Sequence, residues 1–178
     1  MEGSNSSDNG QRRTTALVTG ASSGIGREMT HLLAKHGHDL VLVARQARRL
    51  EELAGNLRKT YDINVTVVLK DLSSPTAAQE IHAELQNSGI RIDMLINNAG
   101  FNVYGPFVDT NLESELQMIQ VNVVTLTSLT KLFVRGMVER GFGRILHVAS
   151  TASFTPAPLD SIYAATKAYV LSFIRSNC

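Results

Sequence analysis

Thr15-Ala16-Leu17-Val18-Thr19-Gly20-Ala21-Ser22-Ser23-Gly24-Ile25-Gly26 is the stretch from which the rest of the chain can be read. Its first five residues are aliphatic or β-branched and read as a strand; the glycines that follow break the extended pattern. Beyond them Ile25, Met29 and Leu32 recur at helical spacing, which predicts a helix packed through that stripe and capped near Gly37. Strand, glycine turn and helix form the first half of a β-α-β unit, and the chain downstream repeats the pattern.

Residues 39–44 hold the continuous apolar run Leu40 to Val43, as a strand buried on both faces requires. A helix follows with Leu50, Leu53 and Leu57 on its buried side and Arg48, Arg49, Glu51 and Glu52 in solvent. Residues 63–69 read as the third strand, and Ser74-Pro75 as a cap and first helical position. The fourth strand covers 92–96. After a loop over 97–109, Thr110 and Glu113 have capping-box spacing, and Leu112, Leu116, Ile119 and Val123 predict the stripe of one long helix that stops at Gly141 and Gly143. The fifth strand covers 144–149, a loop with Pro156 and Pro158 follows, and a final helix carries Tyr163 and Lys167. Five β-α units predict one α/β domain over 14–178 with an incomplete, doubly wound parallel sheet in the order 3-2-1-4-5, behind a disordered polar tail at 1–13.

Composition narrows the partners. The 178 residues are 43% hydrophobic and 19% charged, enough for one core, and the formal net charge of +1 supplies no field for nucleic acid or an anionic membrane. A small-molecule partner is expected. No uninterrupted apolar run approaches the ~18 residues of a membrane span, and Met1 to Arg13 lacks a signal-peptide core, so the expected location is cytoplasmic. Asn5-Ser6-Ser7 reads as part of the polar tail, and the single cysteine, Cys178, has no internal partner. His31, His36 and His38 are scattered and His147 lies inside a strand, so no metal site is expected; Met94 and Met137 read as core.

Three places carry chemistry. A glycine loop between strand and helix brings backbone N–H groups and the helix dipole to a phosphate, although a tight turn needs glycine on steric grounds too, and both readings stay open here. About 20 positions on, where an acidic residue would bind a ribose 2′-hydroxyl, this chain has Arg45, whose guanidinium suits a 2′-phosphate and favours NADP(H) over NAD(H). Tyr163 and Lys167, four apart, share one helix face, and a fixed cation beside a phenol favours its ionised form.

Together these motifs resemble the short-chain dehydrogenase/reductase family across nearly all of residues 15–174. The loop Thr19 to Gly26, Asn97-Asn98-Ala99-Gly100 after the fourth strand, Ser150 after the fifth, and Tyr163 with Lys167 occur in the family's order. The resemblance implies a Rossmann-like fold and a nicotinamide-dependent oxidoreductase interconverting a carbonyl and an alcohol. It implies cofactor contacts from Gly20, Ser22, Ser23, Gly24, Ile25, Gly26, Arg45, Asp71, Leu72, Asn98, Ala99, Gly100, Tyr163 and Lys167, with Asn97 in support. It also implies a catalytic set of Asn122, Ser150, Tyr163 and Lys167. Physical chemistry agrees with these roles: a phenol can protonate a carbonyl oxygen as hydride arrives, and a serine hydroxyl at a strand's carboxyl end can hydrogen-bond the same oxygen. Asparagine is a mediocre helix former, so Asn122 in mid-helix suggests either a held water in a proton relay or a satisfied core amide.

Family members continue past the catalytic helix with a further strand and a substrate lid, whereas this sequence ends shortly after Lys167. The fifth strand is therefore expected to show an open apolar edge, and the hydride site to be open to water. Two readings follow: an NADP(H)-dependent carbonyl reductase or alcohol dehydrogenase, or a catalytically silent nucleotide-binding or partner-binding module. The loops over 101–106 and 151–159 are expected to wall an apolar substrate pocket. The resemblance also implies pairing of the long helix and the catalytic helix across a homo-oligomer.

Overall fold

The structure, a computed structural model, describes residues 13–155 and 157–176. Of the expected tail at 1–13, residues 1–12 lie outside the described residues, as do Pro156, Asn177 and Cys178. Strands β1 (Thr15–Thr19), β2 (Asp39–Ala44), β3 (Val65–Leu69), β4 (Met94–Asn97) and β5 (Arg144–His147) form one sheet in the order β3-β2-β1-β4-β5. All neighbours are parallel, with Leu17 level with Val41 on one side and Leu95 on the other. This is the Rossmann-like order expected from the repeating units. Strand order reverses between β1 and β4, so the loops leaving these two strands part and open a crevice.

Alternation along the strands sends side chains into two cores. Ala16, Val18, Leu40 and Leu42 pack with Leu50, Leu53 and Leu57 of α2 (Ala47–Tyr61). Leu17, Val41, Val43 and Leu95 pack with Ile81 and Leu85 of α3 (Ala77–Asn87) and with Leu129, Phe133 and Met137 of α5 (Leu126–Glu139). Leu17, Leu42 and Leu95 are wholly buried, each contributing about 1.5–3 kcal/mol of apolar transfer. Met94 and Met137 are core residues as expected.

The helices depart from the sequence expectation in phase. In α1 (Gly24–Lys35) Ile25 and Leu32 are each 59% exposed, and the buried residues are Gly26, Thr30 and Ala34. Small residues win because the helix starts hard against the end of β1. Its end does follow expectation: Gly37 stands at φ +76° and donates to the Ala34 carbonyl. Helix α3 begins later than Ser74-Pro75; Thr76 is its N-cap, and Ser74 is part of a turn whose carbonyl accepts from Ala77.

The long helix differs most. Helix α4 (Leu112–Ile119) is capped by Asn111, whose Oδ1 accepts from Ser114 N at 2.9 Å, while Thr110 donates instead to buried Glu115 at 2.7 Å. The capping box of Thr110 and Glu113 is therefore not formed. A π-helical segment, Gln120–Thr125, then separates α4 from α5. Its wider turn re-aims the helix, so the buried line runs through Met118, Asn122, Thr125 and Leu129, whereas Leu112 and Leu116 stay 66% and 55% exposed. By length and composition alone the stretch Leu112–Glu139 would suffice to cross a membrane; here its apolar side packs on the sheet.

Strands β3, β4 and β5 cover 65–69, 94–97 and 144–147, not 63–69, 92–96 and 144–149. Val148 still donates to the Asn97 carbonyl at 3.0 Å, and with Ala149 it becomes wall of the crevice, while Ser153 lies in the 3₁₀ turn Thr151–Ser153. Ser161 is the first residue of α6 (Ser161–Ser176). Among the described residues β5 is an outer strand, with Leu146 44% exposed.

Candidate active site

A clamp between β1 and β4 builds the crevice. Thr19 Oγ1 donates to the Ile96 carbonyl at 3.2 Å and accepts from the N–H groups of Asn98 and Ala99, both at 3.0 Å. Asn98 returns the link, its Nδ2 donating to the carbonyls of Thr19 at 2.9 Å and Gly20 at 3.3 Å. The glycine loop is thus held from below by the Asn98 side chain. Gly20 takes φ +67°, and a Cβ on Gly26 would stand 2.4 Å from both Asn98 Nδ2 and Gly20 O, so the helix can start this close to the loop only with glycine there.

The opening of α1 is left available for an anion. Its N-cap Ser23 makes no side-chain capping bond and the first turn holds no acidic residue. Ser22, Ser23, Gly24 and Ile25 line a cleft of about 730 Å³, so unengaged N–H groups and the positive end of the helix dipole face it. This donor set fits the pyrophosphate of a dinucleotide.

At one end the cleft is walled by Ala44, the last residue of β2, by Arg45 and Gln46 beyond it, and by Lys70, Asp71 and Leu72 beyond β3. Asp71 Oδ1 accepts from Ser73 N at 3.0 Å and Ser73 Oγ at 2.9 Å, and Oδ2 lies 4.0 Å from the Arg45 guanidinium. The Ser73 N–H most of all, against the opposing effect of burial and helped less strongly by the Ser73 hydroxyl and Arg45, holds the Asp71 carboxyl below the usual carboxylate range. Lys70 is engaged with Glu80 at 2.7 Å. Leu72 is buried, and its carbonyl accepts from Thr125 of the π segment at 2.8 Å, which ties the cleft floor to the long helix.

At the other end Ser150, Tyr163 and Lys167 line the same cleft with Asn98, Ala99 and Gly100. Tyr163 and Lys167 share one face of α6, the Lys167 Nζ standing 5.8 Å from the centre of the Tyr163 ring. Lys167 as a residue is 5% exposed, and its ammonium donates to the Val148 carbonyl at 2.9 Å; burial pushes its pKa down. Ser150 caps the 3₁₀ turn, its Oγ accepting from Ala152 N at 3.2 Å.

Two residues of the expected set stand behind the wall. Gly26 is one, serving the packing described above. Asn122 is the other: its Oδ1 accepts from Phe101 N at 3.2 Å, and its Nδ2 donates to the Phe101 carbonyl and Thr166 Oγ1, both at 3.1 Å. Thr166 in turn donates to the Tyr163 carbonyl at 2.7 Å, so Asn122 pins both the loop after β4 and the helix bearing the tyrosine. A Cβ on Gly100 would lie 2.9 Å from Asn122 Oδ1 and 3.4 Å from Lys167 Nζ, which shows how closely these groups converge. The neighbouring Asn97 is also buried, its Nδ2 meeting Thr130 Oγ1 at 3.0 Å and His147 Nδ1 at 3.2 Å. His147 is structural as expected, with Phe173 edge-on at 5.6 Å and its pKa lowered by burial.

Sequence reading missed Ala44, Gln46, Lys70, Val121, Val148 and Ala149 as lining residues, while Phe101 and Asn102 belong to the loop over 101–106 that was expected to wall a pocket. Gln46, Lys70 and Val148 each lie one or two residues beyond a strand end, the position from which crevice walls are drawn in open α/β sheets.

The sequence profile of the short chain dehydrogenase family matches residues 14–178. The very-long-chain 3-oxoacyl-CoA reductase of Homo sapiens is 34% identical over 167 residues, covering 92% of this chain and 52% of the relative. That of Phaeosphaeria nodorum is 32% identical over 174 residues, covering 96% and 51%. The chain spans about half the length of the curated relatives it matches. Among solved structures, a short-chain dehydrogenase from Sphingobium yanoikuyae in complex with NADPH is 39% identical with a TM-score of 0.86, covering 92% of this chain and 63% of that one. L-sorbose reductase from Gluconobacter frateurii, complexed with NADPH and L-sorbose, is 33% identical with a TM-score of 0.84, covering 90% and 61%. Profile, strand order and motif placement agree, and the chain belongs to the short-chain dehydrogenase/reductase family of oxidoreductases.

Proposed function

We propose that this chain carries the NADP(H) site and the proton-transfer residues for interconverting a carbonyl and an alcohol. The observation that carries the reading is the convergence of the uncapped α1 start, Arg45, Ser150, Tyr163 and Lys167 on one cleft. The bound nicotinamide would supply or accept the hydride. Gly20 to Ile25 would hold its pyrophosphate, Arg45 a 2′-phosphate, and Asn98 to Gly100 the wall beside it. Tyr163 gives its proton to the carbonyl oxygen in reduction and takes one back in oxidation, while the Ser150 hydroxyl hydrogen-bonds that oxygen. Lys167 spends one of its three N–H donors on Val148 and keeps the others for the Tyr163 side of the cleft. Asn122 acts by positioning, through Phe101 and Thr166.

The substrate class we favour is an apolar carbonyl compound. Tyr104, Phe107, Val108 and Leu159 are exposed on loops joined by the Gly105 to Leu159 backbone bond at 2.9 Å, near Asp160 and the start of α6. Relatives named for acyl-CoA and for sugar substrates share the same half of the fold, so substrate choice lies largely in what surrounds these loops. The test is NADPH consumption with a panel of apolar ketones. Tyr163→Phe is expected to lower turnover at least 100-fold, a size typical of general acid catalysis, and unchanged turnover would sink the assignment.

A second reading, a nucleotide-binding or partner-binding module without turnover, is favoured by the outer position and partly exposed face of β5. It predicts saturable NADPH binding with no ketone reduction at any enzyme concentration.

A further inference from the structure

We propose that Asp71 restrains the NADP preference conferred by Arg45: its carboxylate is a fixed anion beside which any 2′-phosphate on Arg45 must sit. The proposal rests on the reading of the cleft as a dinucleotide site and goes on to assign what sets its selectivity.

The two side chains differ in freedom. Asp71 is anchored through Oδ1 by two donors from Ser73, which turns Oδ2 toward Arg45 at 4.0 Å. The Arg45 side chain is 69% exposed and that of Asp71 52%, so the pair is a weak, water-screened one that a ligand can open cheaply. When it opens, Arg45 swings and Asp71 stays. Among the described cations of the cleft, Lys70 is held by Glu80 at 2.7 Å and Lys167 by the Val148 carbonyl at 2.9 Å, which leaves Arg45 to meet a phosphate.

Two effects then act in one direction. Asp71 competes with the ligand for the guanidinium, and it repels a 2′-phosphate carrying a charge of about −1.5 to −2. A 2′-hydroxyl meets neither penalty. For charges some 6–8 Å apart in a water-like medium at physiological salt, the combined effect on affinity is about three- to tenfold. Arg45 and Asp71 thus form a paired selector, in which the cation admits the phosphate and the anion limits how strongly it is favoured.

Adenosine 2′,5′-bisphosphate and 5′-AMP isolate this end of the cleft and need no turnover. Both would be titrated calorimetrically into the wild-type chain, Asp71→Asn, Arg45→Ala and the double variant. In Asp71→Asn the amide oxygen still accepts from Ser73, so the shape is kept, while the Oδ2 acceptor becomes an NH2 donor for both nucleotides alike. The ratio of bisphosphate to 5′-AMP affinity is expected to rise about three- to tenfold in Asp71→Asn, any lost contact to the base falling on both nucleotides alike, and the rise should shrink in the Arg45→Ala background. Binding of both nucleotides with an unchanged or lowered bisphosphate-to-AMP ratio in Asp71→Asn would overturn the selector and leave the cleft assignment standing. Absence of binding by either nucleotide to all four proteins would overturn the cleft assignment, and the selector with it.

Discussion

Replacing Gly26 by alanine tests the clamp on which the cofactor loop stands. The added Cβ would lie 2.4 Å from Asn98 Nδ2 and 2.4 Å from Gly20 O, about 1 Å inside ordinary contact. Neither neighbour is a loose side-chain end. Gly20 O is backbone, and Asn98 Nδ2 holds Thr19 O at 2.9 Å and Gly20 O at 3.3 Å, so yielding means loosening two hydrogen bonds at about 0.5–1.5 kcal/mol each. Overpacking adds about 1–3 kcal/mol, and helix propensity returns at most about 1. The net loss is about 2–3 kcal/mol, or a fall of roughly 5–10 °C in Tm for a chain of this size. Gly24 supplies the comparison, since its Cβ would meet nothing within 4 Å and only its φ of +52° is unfavourable. Gly24→Ala should therefore lose about 1–2 kcal/mol while keeping the Asn98 clamp. Thermal and denaturant melts of both variants, each with and without NADPH, decide the matter. Gly26→Ala should be the less stable and should gain less from NADPH; equal or greater stability of Gly26→Ala would refute the packing argument.

Other variants probe separate links. Gly55 lies inside α2 with open space around its Cβ position, so Gly55→Ala should stabilise the fold by about 0.5–1 kcal/mol in the same melts. Asn122→Ala strands the Phe101 N–H and carbonyl and one bond to Thr166, and should cost about 2–4 kcal/mol in denaturant unfolding. It should also raise hydrogen exchange at 100–102. Burial places the His147 pKa below the ordinary histidine value near 6.5, so as pH falls the unfolded chain takes up the proton first. The stability tied to neutral His147 is then full above about 6.5 and is lost as pH falls through the lower folded value. His147→Gln should flatten the decline in Tm between about pH 7.5 and 5.5, leaving the part due to His38, which is shifted the same way.

Strands and crevice were legible in the sequence because each rests on short-range chemistry. The run Leu40 to Val43 can only be buried on both faces, and Gly20, Gly24 and Gly26 after β1 leave little choice of turn. What escaped depends on neighbours that periodicity does not see. Ile25 and Leu32 match a helical stripe, yet the helix leans on Gly26, Thr30 and Ala34 because Asn98 and Gly20 stand so close. Leu112 and Leu116 likewise lost their place to Glu115 and Met118, with the π segment below them shifting the phase around Asn122. Ser150, Tyr163 and Lys167, singled out through the family resemblance, line one cleft because the loop after β5 and one face of α6 meet there. Lys70 and Gln46 carry no motif and became visible only once the strand ends were fixed.

The central claim, that this cleft holds a nicotinamide dinucleotide beside Tyr163 and Lys167, is tested most directly by hydrogen–deuterium exchange with and without NADPH. Saturable protection should concentrate at 20–26, 44–46, 70–72 and 98–101 and reach 163–167, with little change in α2 outside its first turn. No protection at saturating NADPH, or protection confined to the α3 and α5 side of the sheet, would contradict the account.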